Sequence, residues 1–411
     1  MELIRSNRTE TLADALASKV REEPLPPLAK ETIVVQSKGI EHWLSLQLAT
    51  RLGVWANPAF PFPRAAVEQA LAGLDEDADE NAKAYGRERL RWTIAGLLEE
   101  SRPAELEGYL GSPADPDRIV RLALSIANAF DDYSVYRPAL LAAWRKGKRG
   151  GWQAELWRRV TKVLGPHDLG SRIERALPRL RSEDVAPRVP FHRLHLFSLE
   201  TLPPSFLRFF GALSRKVPTT LYVLEPSSEY RGDAGFEADA ELSFQMSDLA
   251  TNGHPLLVGA GRLSRDFQKL LLEASEAVPF ELEHEAFVSP GHSTLLSAVQ
   301  SDILKFAAPP PTAERSIVQR PDDSISLHEC PDPLREVQVL YDRIRGALEE
   351  DSTLRPEDIV VMAPDLETYA PLFRAVFGQQ SEHPIPFDVH DRRSREDASF
   401  YDDLLVVLEL L

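Results

Sequence analysis

At 411 residues, with 43% hydrophobic and 27% charged side chains, the chain has the makeup of a globular protein with room for two to four ordinary cores. One cysteine, Cys330, excludes an internal disulfide and a multi-cysteine metal site, and suits a reducing cytoplasm. The net charge of −17 argues against a protein coated in nucleic acid but leaves room for a locally basic channel, because phosphate contacts depend on local charge.

The N-terminus shows no apolar signal region, and no apolar run is long enough to span a bilayer. Residues 3–20 read as a short strand, a turn and an amphipathic helix, the turn being Ser6-Asn7-Arg8-Thr9-Glu10-Thr11. Residues 32–35 are a second apolar run, followed by Gln36-Ser37-Lys38-Gly39 and a helix bearing Trp43, Leu44, Leu48 and Leu52. Strand, polar turn and helix used twice in succession is a parallel α/β signature. Asn57-Pro58-Ala59-Phe60-Pro61-Phe62-Pro63 is a proline-rich turn that cannot continue a helix.

From about residue 64 to 181 the periodicity is helical, with an acidic loop at 75–80 and helices predicted at 121–136 and 152–164. Between those helices lies the basic turn Arg145-Lys146-Gly147-Lys148-Arg149. Strands return at 193–197 and 219–224 with a helix at 205–214 between them, a βαβ unit. Residues 227–300 give no clear pattern. Residues 307–323, with Pro309-Pro310-Pro311, read as a linker. Beyond it the pattern predicts strands at 324–328, 358–362 and 386–389 and helices at 335–349 and 366–377. Residues 401–411 are an apolar helical run without a polar tail, which reads as a chain stopping inside a domain. The expected fold is therefore α/β: a parallel-sheet domain from 1–66 plus 188–308, a helical insertion at 67–187, a linker at 309–323 and the start of a second α/β domain at 324–411.

In an ATPase the first strand–helix turn carries G-x-x-x-x-G-K-[ST], which wraps phosphates and holds Mg²⁺. Ser6, Asn7 and Arg8 begin a turn with neither glycine nor lysine. Without glycines, Cβ atoms obstruct backbone approach to phosphate, and without lysine the β/γ charge is unanswered. Ser6 or Thr9 can equally be a helix cap. At the end of the strand at 193–197 a motor places an Asp-Glu pair, and this chain has Ser198-Leu199-Glu200. Glu225-Pro226-Ser227-Ser228-Glu229-Tyr230-Arg231-Gly232 looks like a decayed G-D-P-x-Q-S-I-Y-x-x-R-G loop without its glutamine, and Ala363-Pro364-Asp365 stands where a motor commonly presents an arginine. Several losses together speak against ATP turnover.

The turn after a helicase domain's second strand contacts single-stranded DNA. Here Gln36 can read a base edge, Lys38 can meet a phosphate and His42 can stack or hydrogen-bond, while Ser37 also suits a helix cap. Phe62 can project from its rigid turn into a channel or pack as a structural turn. Arg145, Lys146, Lys148 and Arg149 form the clearest basic patch, read as DNA contact or as a solvated loop. Asp131 and Asp132 lack a third correctly spaced metal ligand. His192 and His195 on one strand would face opposite sides, and Glu281, Glu283, His284 and Glu285 receive no role.

Val35-Gln36-Ser37 with Gly39, Trp43 and Leu44, Phe60-Pro61 with Pro63, Phe130-Asp131, Val135-Tyr136-Arg137-Pro138, Leu202-Pro203-Pro204, Arg335-Glu336-Val337, Asp358-Ile359-Val360-Val361-Met362 and Asp391-Arg392-Arg393 occur in this order. In order and spacing they resemble the N-terminal part of the RecC family, the gamma subunit of exodeoxyribonuclease V. The resemblance implies a superfamily 1 helicase-like, RecA-type fold that has lost ATPase activity. It implies a scaffold subunit without a cofactor of its own, ATP and Mg²⁺ being used by a RecB-like helicase–nuclease and a RecD-like helicase. It further implies cytoplasmic, nucleoid-associated work on double-stranded DNA ends in bacterial repair and recombination, with strand splitting and scanning of single-stranded DNA for a Chi-like signal. Asp131, Asp132 and Arg137 would line the strand tunnel, Arg137 taking phosphate or guanine and the carboxylates accepting from cytosine amino groups. Lys38 and His42 replace other polar residues of the family pattern, so the recognised signal is left open. Two other readings stand beside this one: an active helicase or nuclease with divergent motifs, and an interaction scaffold that does not touch DNA.

Overall fold

Apolar strands covered on both faces are what a parallel sheet requires, and the first part of the chain supplies them. The computed structural model describes residues 1–26, 28–74, 83–111, 113–148, 150–182, 189–231, 253–275, 280, 282–308, 322–378 and 384–389. Strands β1 (Glu2–Ser6), β2 (Glu31–Val34), β3 (Pro58–Ala59), β4 (Leu194–Phe197), β5 (Thr219–Leu224) and β6 (Leu282–Glu285) form one sheet in the order β3-β2-β4-β5-β1-β6. Every pairing in it is parallel. The protein is α/β, and it divides into two compact units, residues 1–318 and 319–411.

Helices α1 (Thr9–Glu22) and α2 (Lys38–Leu52) follow β1 and β2. Between β3 and β4 the described residues hold only helices: α3 (Pro63–Ala72), α4 (Arg87–Glu100), α5 (Ala104–Leu110), α6 (Pro116–Tyr136), α7 (Pro138–Arg145), α8 (Trp152–Leu164) and α9 (Leu169–Arg181). After β4 come α10 (Pro204–Leu213), α11 (Pro255–Ala260), α12 (Arg262–Ser275) and α13 (Leu295–Leu304).

Strand alternation sorts the cores. Ile4, Ile33, Phe197 and Tyr222 join Leu12 and Leu16 of α1 and Leu44 and Leu48 of α2 on one face. Their neighbours Leu3, Val34, Leu196 and Leu221 join Val67 of α3, Ile173 and Leu177 of α9, Phe209 of α10 and Phe267 of α12 on the other. A third core belongs to α4–α8 alone, with Ile94, Trp144 and Trp157 around Phe130; the Phe130 and Trp157 rings meet edge-on, centroids 5.0 Å apart. α3 and α9 flank this helical block in sequence but pack on the sheet. Local signals set several helix starts: Asp115 accepts from Asp117 N with Pro116 at the first helical position of α6, and Asp168 accepts from Ser171 N at the start of α9.

The sheet's buried polar group lies under its α1–α2 face. Arg193 is 4% exposed and donates from Nε and Nη2 to the two oxygens of Glu31, at 2.6 and 2.7 Å. His195 Nε2 meets the same carboxylate at 2.9 Å, and Tyr222 Oη lies 3.2 Å from His195 Nδ1. This arrangement suits a neutral imidazole that donates to Glu31 and accepts from Tyr222. Burial alone would raise the Glu31 carboxyl, but the bonds from Arg193 and His195 outweigh it and hold the group at about 2. Burial pushes His195 below its ordinary value, against the pull of Glu31. Both native values lie below the unfolded ones, so the stability they contribute is complete above the unfolded values and lost on acidification. We expect the thermal midpoint of the protein to fall as pH drops below 6.5, through His195, and again from 4.5 towards 2, through Glu31. Melting curves collected across this range check it, and a midpoint flat between pH 7 and 3 would count against it.

The second unit contains α14 (Pro333–Glu350), capped by Asp332, and α15 (Leu366–Phe377), capped by Asp365. They pack through Val337, Ile344 and Phe377, with Tyr341 edge-on to Phe377 at 5.2 Å. The strands predicted at 324–328, 358–362 and 386–389 are not present: those segments are irregular, apart from a 3₁₀ turn at Pro356–Asp358. A strand exists through hydrogen bonds to a neighbour. No strand is found among the described residues of this unit, and Val360 and Met362 are 75% and 89% exposed. The acidic loop at 75–80, the core of the linker at 309–321, Asp391-Arg392-Arg393 and the run at 401–411 lie outside the described residues. Among the described residues no helix is long and apolar enough to cross a membrane.

Candidate functional site

Open parallel sheets bind ligands beyond the carboxyl ends of their strands. At the end of β1 the chain enters α1 through only two residues, Asn7 and Arg8, so the six-residue turn expected at 6–11 is a much tighter corner. Neither Ser6 nor Thr9 caps the helix. Arg8 holds the N-cap position without a side-chain cap, and the buried Ser6 hydroxyl instead accepts from Arg8 N at 3.1 Å and donates to Ala286 O at 2.8 Å. Asn7 Nδ2 donates to Val288 O at 2.9 Å while its Oδ1 accepts from Val288 N at 2.8 Å, a side-chain amide imitating a strand pair. The chain leaving β6 is thus clasped against the corner where a motor would wrap phosphates. His284 and Glu285, given no role from sequence, belong to this edge strand, and Arg5 reaches Glu285 at 3.2 Å.

At the end of β4, Ser198 adopts φ 48° and donates its N–H to Tyr222 O at 2.9 Å. Glu200 is exposed. Glu225 is buried and takes Arg5 Nε and Nη2 at 2.9 and 2.7 Å; Ser227 bonds Leu304 O at 3.0 Å. Among the described residues no group of three or more His, Cys, Asp or Glu is placed to hold a metal ion.

The segments predicted to meet DNA are cross-linked to one another. Gln36, expected to read a base edge, has both ends of its amide engaged: Nε2 donates to Thr201 O at 2.5 Å and Oε1 accepts from Glu200 N at 3.1 Å. Ser37 caps α2, accepting from Ile40 N at 3.2 Å. Val35 N donates to Pro61 O at 3.3 Å, which sets the Phe60–Pro63 turn beside the end of β2. Three residues on, Arg64 donates from Nη2 and Nη1 to the two oxygens of Asp131, at 2.8 and 2.5 Å, and from Nε to Glu68 at 3.0 Å. Ser205 Oγ, at the start of α10, donates to Val135 O at 2.6 Å. These links close a circuit: 36 to 200–201, along the chain to 205, to 135 and 131, to 64 and 61, and back to 35.

Exposed side chains project from this circuit. Lys38 is 75% exposed on its side chain, pairs with Glu41 and lies 5.9 Å from the centre of the Phe62 ring; Phe62 is 41% exposed. His42, Asp132 and Arg137 are exposed, and the Arg137 guanidinium lies 6.0 Å from the Tyr133 ring. Two cation–aromatic pairs thus stand on one hydrogen-bonded frame.

The basic turn is arranged differently from the reading of a uniform patch. Arg145 turns inward and donates to Asp168 at 2.6 Å and Ser171 at 2.5 Å, which pins the end of α7 to the cap of α9. Lys146 and Lys148 are exposed, and Arg149 lies outside the described residues. Arg64, Asp131, Ser134 and Asp168 line a cavity of about 20 Å³, room for a single water. Arg64, Ser205 and Asp168 were not singled out from sequence. Arg64 offered one faint signal, an i,i+4 carboxylate at Glu68, and its long-range partner Asp131 carried none.

A family profile described as "RecC, N-terminal domain" matches residues 1–306. The chain is 32% identical over 470 aligned positions to the RecBCD enzyme subunit RecC of Escherichia coli (strain K12), covering all of this chain and 41% of that protein. It is 28% identical to the RecBCD enzyme subunit RecC of Haemophilus influenzae, covering 98% and 42%, and 33% identical to that of Mycobacterium tuberculosis, covering 92% and 36%. The chain therefore spans about two fifths of the length of the curated relatives it matches. From the profile and these identities together, the chain belongs to the RecC family.

Proposed function

We propose that this chain serves as the DNA-handling, non-catalytic part of a RecBCD-type helicase–nuclease acting in double-strand break repair and recombination. The observation that carries the reading is the closed frame at the carboxyl end of the sheet, which displays Lys38 with Phe62 and Arg137 with Tyr133. Single-stranded DNA is held by aromatic faces for bases and cations for phosphates, and both are supplied there. The sheet then acts as a helicase-like RecA-type domain. The helical core of α4–α8 is the part of the 67–187 insertion that stands apart from it. The Asn7–Val288 clasp supports a chain that leaves ATP and Mg²⁺ to RecB-like and RecD-like partners. Strand splitting, followed by scanning of one strand for a Chi-like signal in the bacterial cytoplasm, completes the proposal.

The test is binding of forked DNA across a salt series. Replacing Lys38 and Arg137 by alanine is expected to weaken binding to all sequences and lower the salt slope by about two, roughly one for each phosphate left unneutralised. Phe62→Ala is expected to remove about 1–3 kcal/mol of single-strand affinity. Fluorescent ATP is expected to show no saturable binding. Unchanged affinity and slope would favour the scaffold that does not touch DNA, and saturable ATP binding abolished by Arg8→Ala would favour an active motor.

A further inference from the structure

Helix α4 buries one side in the helical core through Leu90, Ile94, Leu97 and Leu98, and its opposite side is open. The open side carries Arg89, Trp92, Gly96 and Glu99, all exposed. They are spaced three, four and three apart, the seam by which one helix meets another. Trp92 is 56% exposed, and the Arg91 guanidinium lies 5.1 Å from the centre of a ring of its indole. A Cβ on Gly96 would meet nothing within 4 Å, so the indole stands one turn from a gap in the side-chain layer. An exposed tryptophan beside a gap, with charge around it, has the makeup of an interface anchor. The charges are of both signs, Arg89 before the tryptophan and Glu99 beyond the glycine, which suits a polypeptide better than a phosphate chain.

We propose that this face pairs with the same face of a second copy of the chain, the two α4 helices running antiparallel about a two-fold axis at the level of Ile94. In that register Trp92 meets the partner's Gly96 and Arg89 meets the partner's Glu99, and the reverse contacts follow by symmetry. A two-fold contact requires that each patch complement itself, and these four positions do so together. No ion pair reaches Arg89 or Glu99 among the described residues, so both charges are available for it. Glu88 and the partner's Glu100 also come face to face, but each already has an arginine of its own chain, Arg91 at 3.7 Å and Arg159 at 3.4 Å. One helix pair lies at the small end of specific interfaces, so the association is weak and concentration-dependent. The pairing does not depend on the DNA reading given above; joined with it, two copies would place one enzyme at each end of a double-strand break.

The experiment is sedimentation of the whole chain over a concentration series, with a melting curve for each variant. The parent is expected to pass from monomer to dimer as concentration rises. Trp92→Ala is expected to raise the dissociation constant on the order of a hundredfold, since both copies lose the anchor. Arg89→Glu and Glu99→Arg are each expected to raise it on the order of tenfold, and the two changes on one chain to bring it back within about threefold of the parent. Gly96→Gln fills the gap without adding apolar surface; it is expected to weaken the dimer while leaving the melting temperature no lower, because glutamine favours a helix over glycine. A parent that stays monomeric overturns the pairing. So does a dimer that these variants leave unchanged, or a charge exchange that binds no tighter than its single changes. A monomeric parent whose binding to forked DNA falls with Trp92→Ala would assign the face to nucleic acid and overturn it equally.

Discussion

Glu31→Ala is expected to destabilise the protein by roughly 3–5 kcal/mol, the usual cost of removing one partner from a buried ion pair. The change leaves the Arg193 guanidinium, 4% exposed, with only backbone and peripheral acceptors. It also removes the acceptor that orients His195 against Tyr222. The effect is a penalty of abandonment and not the net worth of the pair, so Glu31→Met combined with Arg193→Met is expected to regain much of the loss. Thermal and urea denaturation of the single and double variants decide the point. A double variant as unstable as the sum of its parts would show that the group contributes through something other than paired charge.

Gly170→Ala is expected to cost about 3 kcal/mol, at the upper end for overpacking. A Cβ there would lie 2.2 Å from the Ser134 carbonyl oxygen and 2.9 Å from Pro138 Cβ. The nearest obstacle is backbone, which cannot swing aside as a side-chain tip can. α9 and α6 would have to part near the end of α6, which carries Asp131 and Asp132 and leads into Arg137, so on the proposed function single-strand binding is expected to weaken along with stability. Gly96→Ala and Gly108→Ala provide the contrast. Both glycines are helical and a Cβ at either meets nothing within 4 Å, so those changes are expected to be neutral or to stabilise by about 0.5–1 kcal/mol. A melting midpoint for Gly170→Ala equal to those of the two controls would refute the close approach.

Where the chain states its structure locally, the sequence reads well. The continuous run Thr219–Leu224 and the capped or glycine-bounded helices Trp152–Leu164 and Leu366–Phe377 are found at the residues the pattern predicts. Where structure is imposed from a distance, it does not. β6 is Leu-Glu-His-Glu, with no apolar alternation, and is a strand because β1 lies beside it. β3 is two residues, one a proline, and pairs only along the edge of β2. The opposite failure occurs at 358–362, where the apolar pattern is present and no pairing neighbour is found among the described residues. The candidate site follows the same rule. Residue type alone nominated side chains for DNA contact, whereas the bonds that join their segments span positions 67, 70 and 165 apart in the chain. Gln36 shows the limit most plainly: its residue type suits base reading, and its geometry makes it a brace between the exits of β2 and β4.

The circuit running through Gln36, Ser205, Asp131 and Arg64 has a mechanical consequence. An open row of links parts when any one is cut, whereas a ring still connects every member by the longer way round and comes apart only on a second cut. A nucleic-acid strand hauled across this edge by motors elsewhere would tug on one segment at a time, and each tug would be divided between two neighbours. On the proposed function, such a rim would resist dragging without consuming fuel.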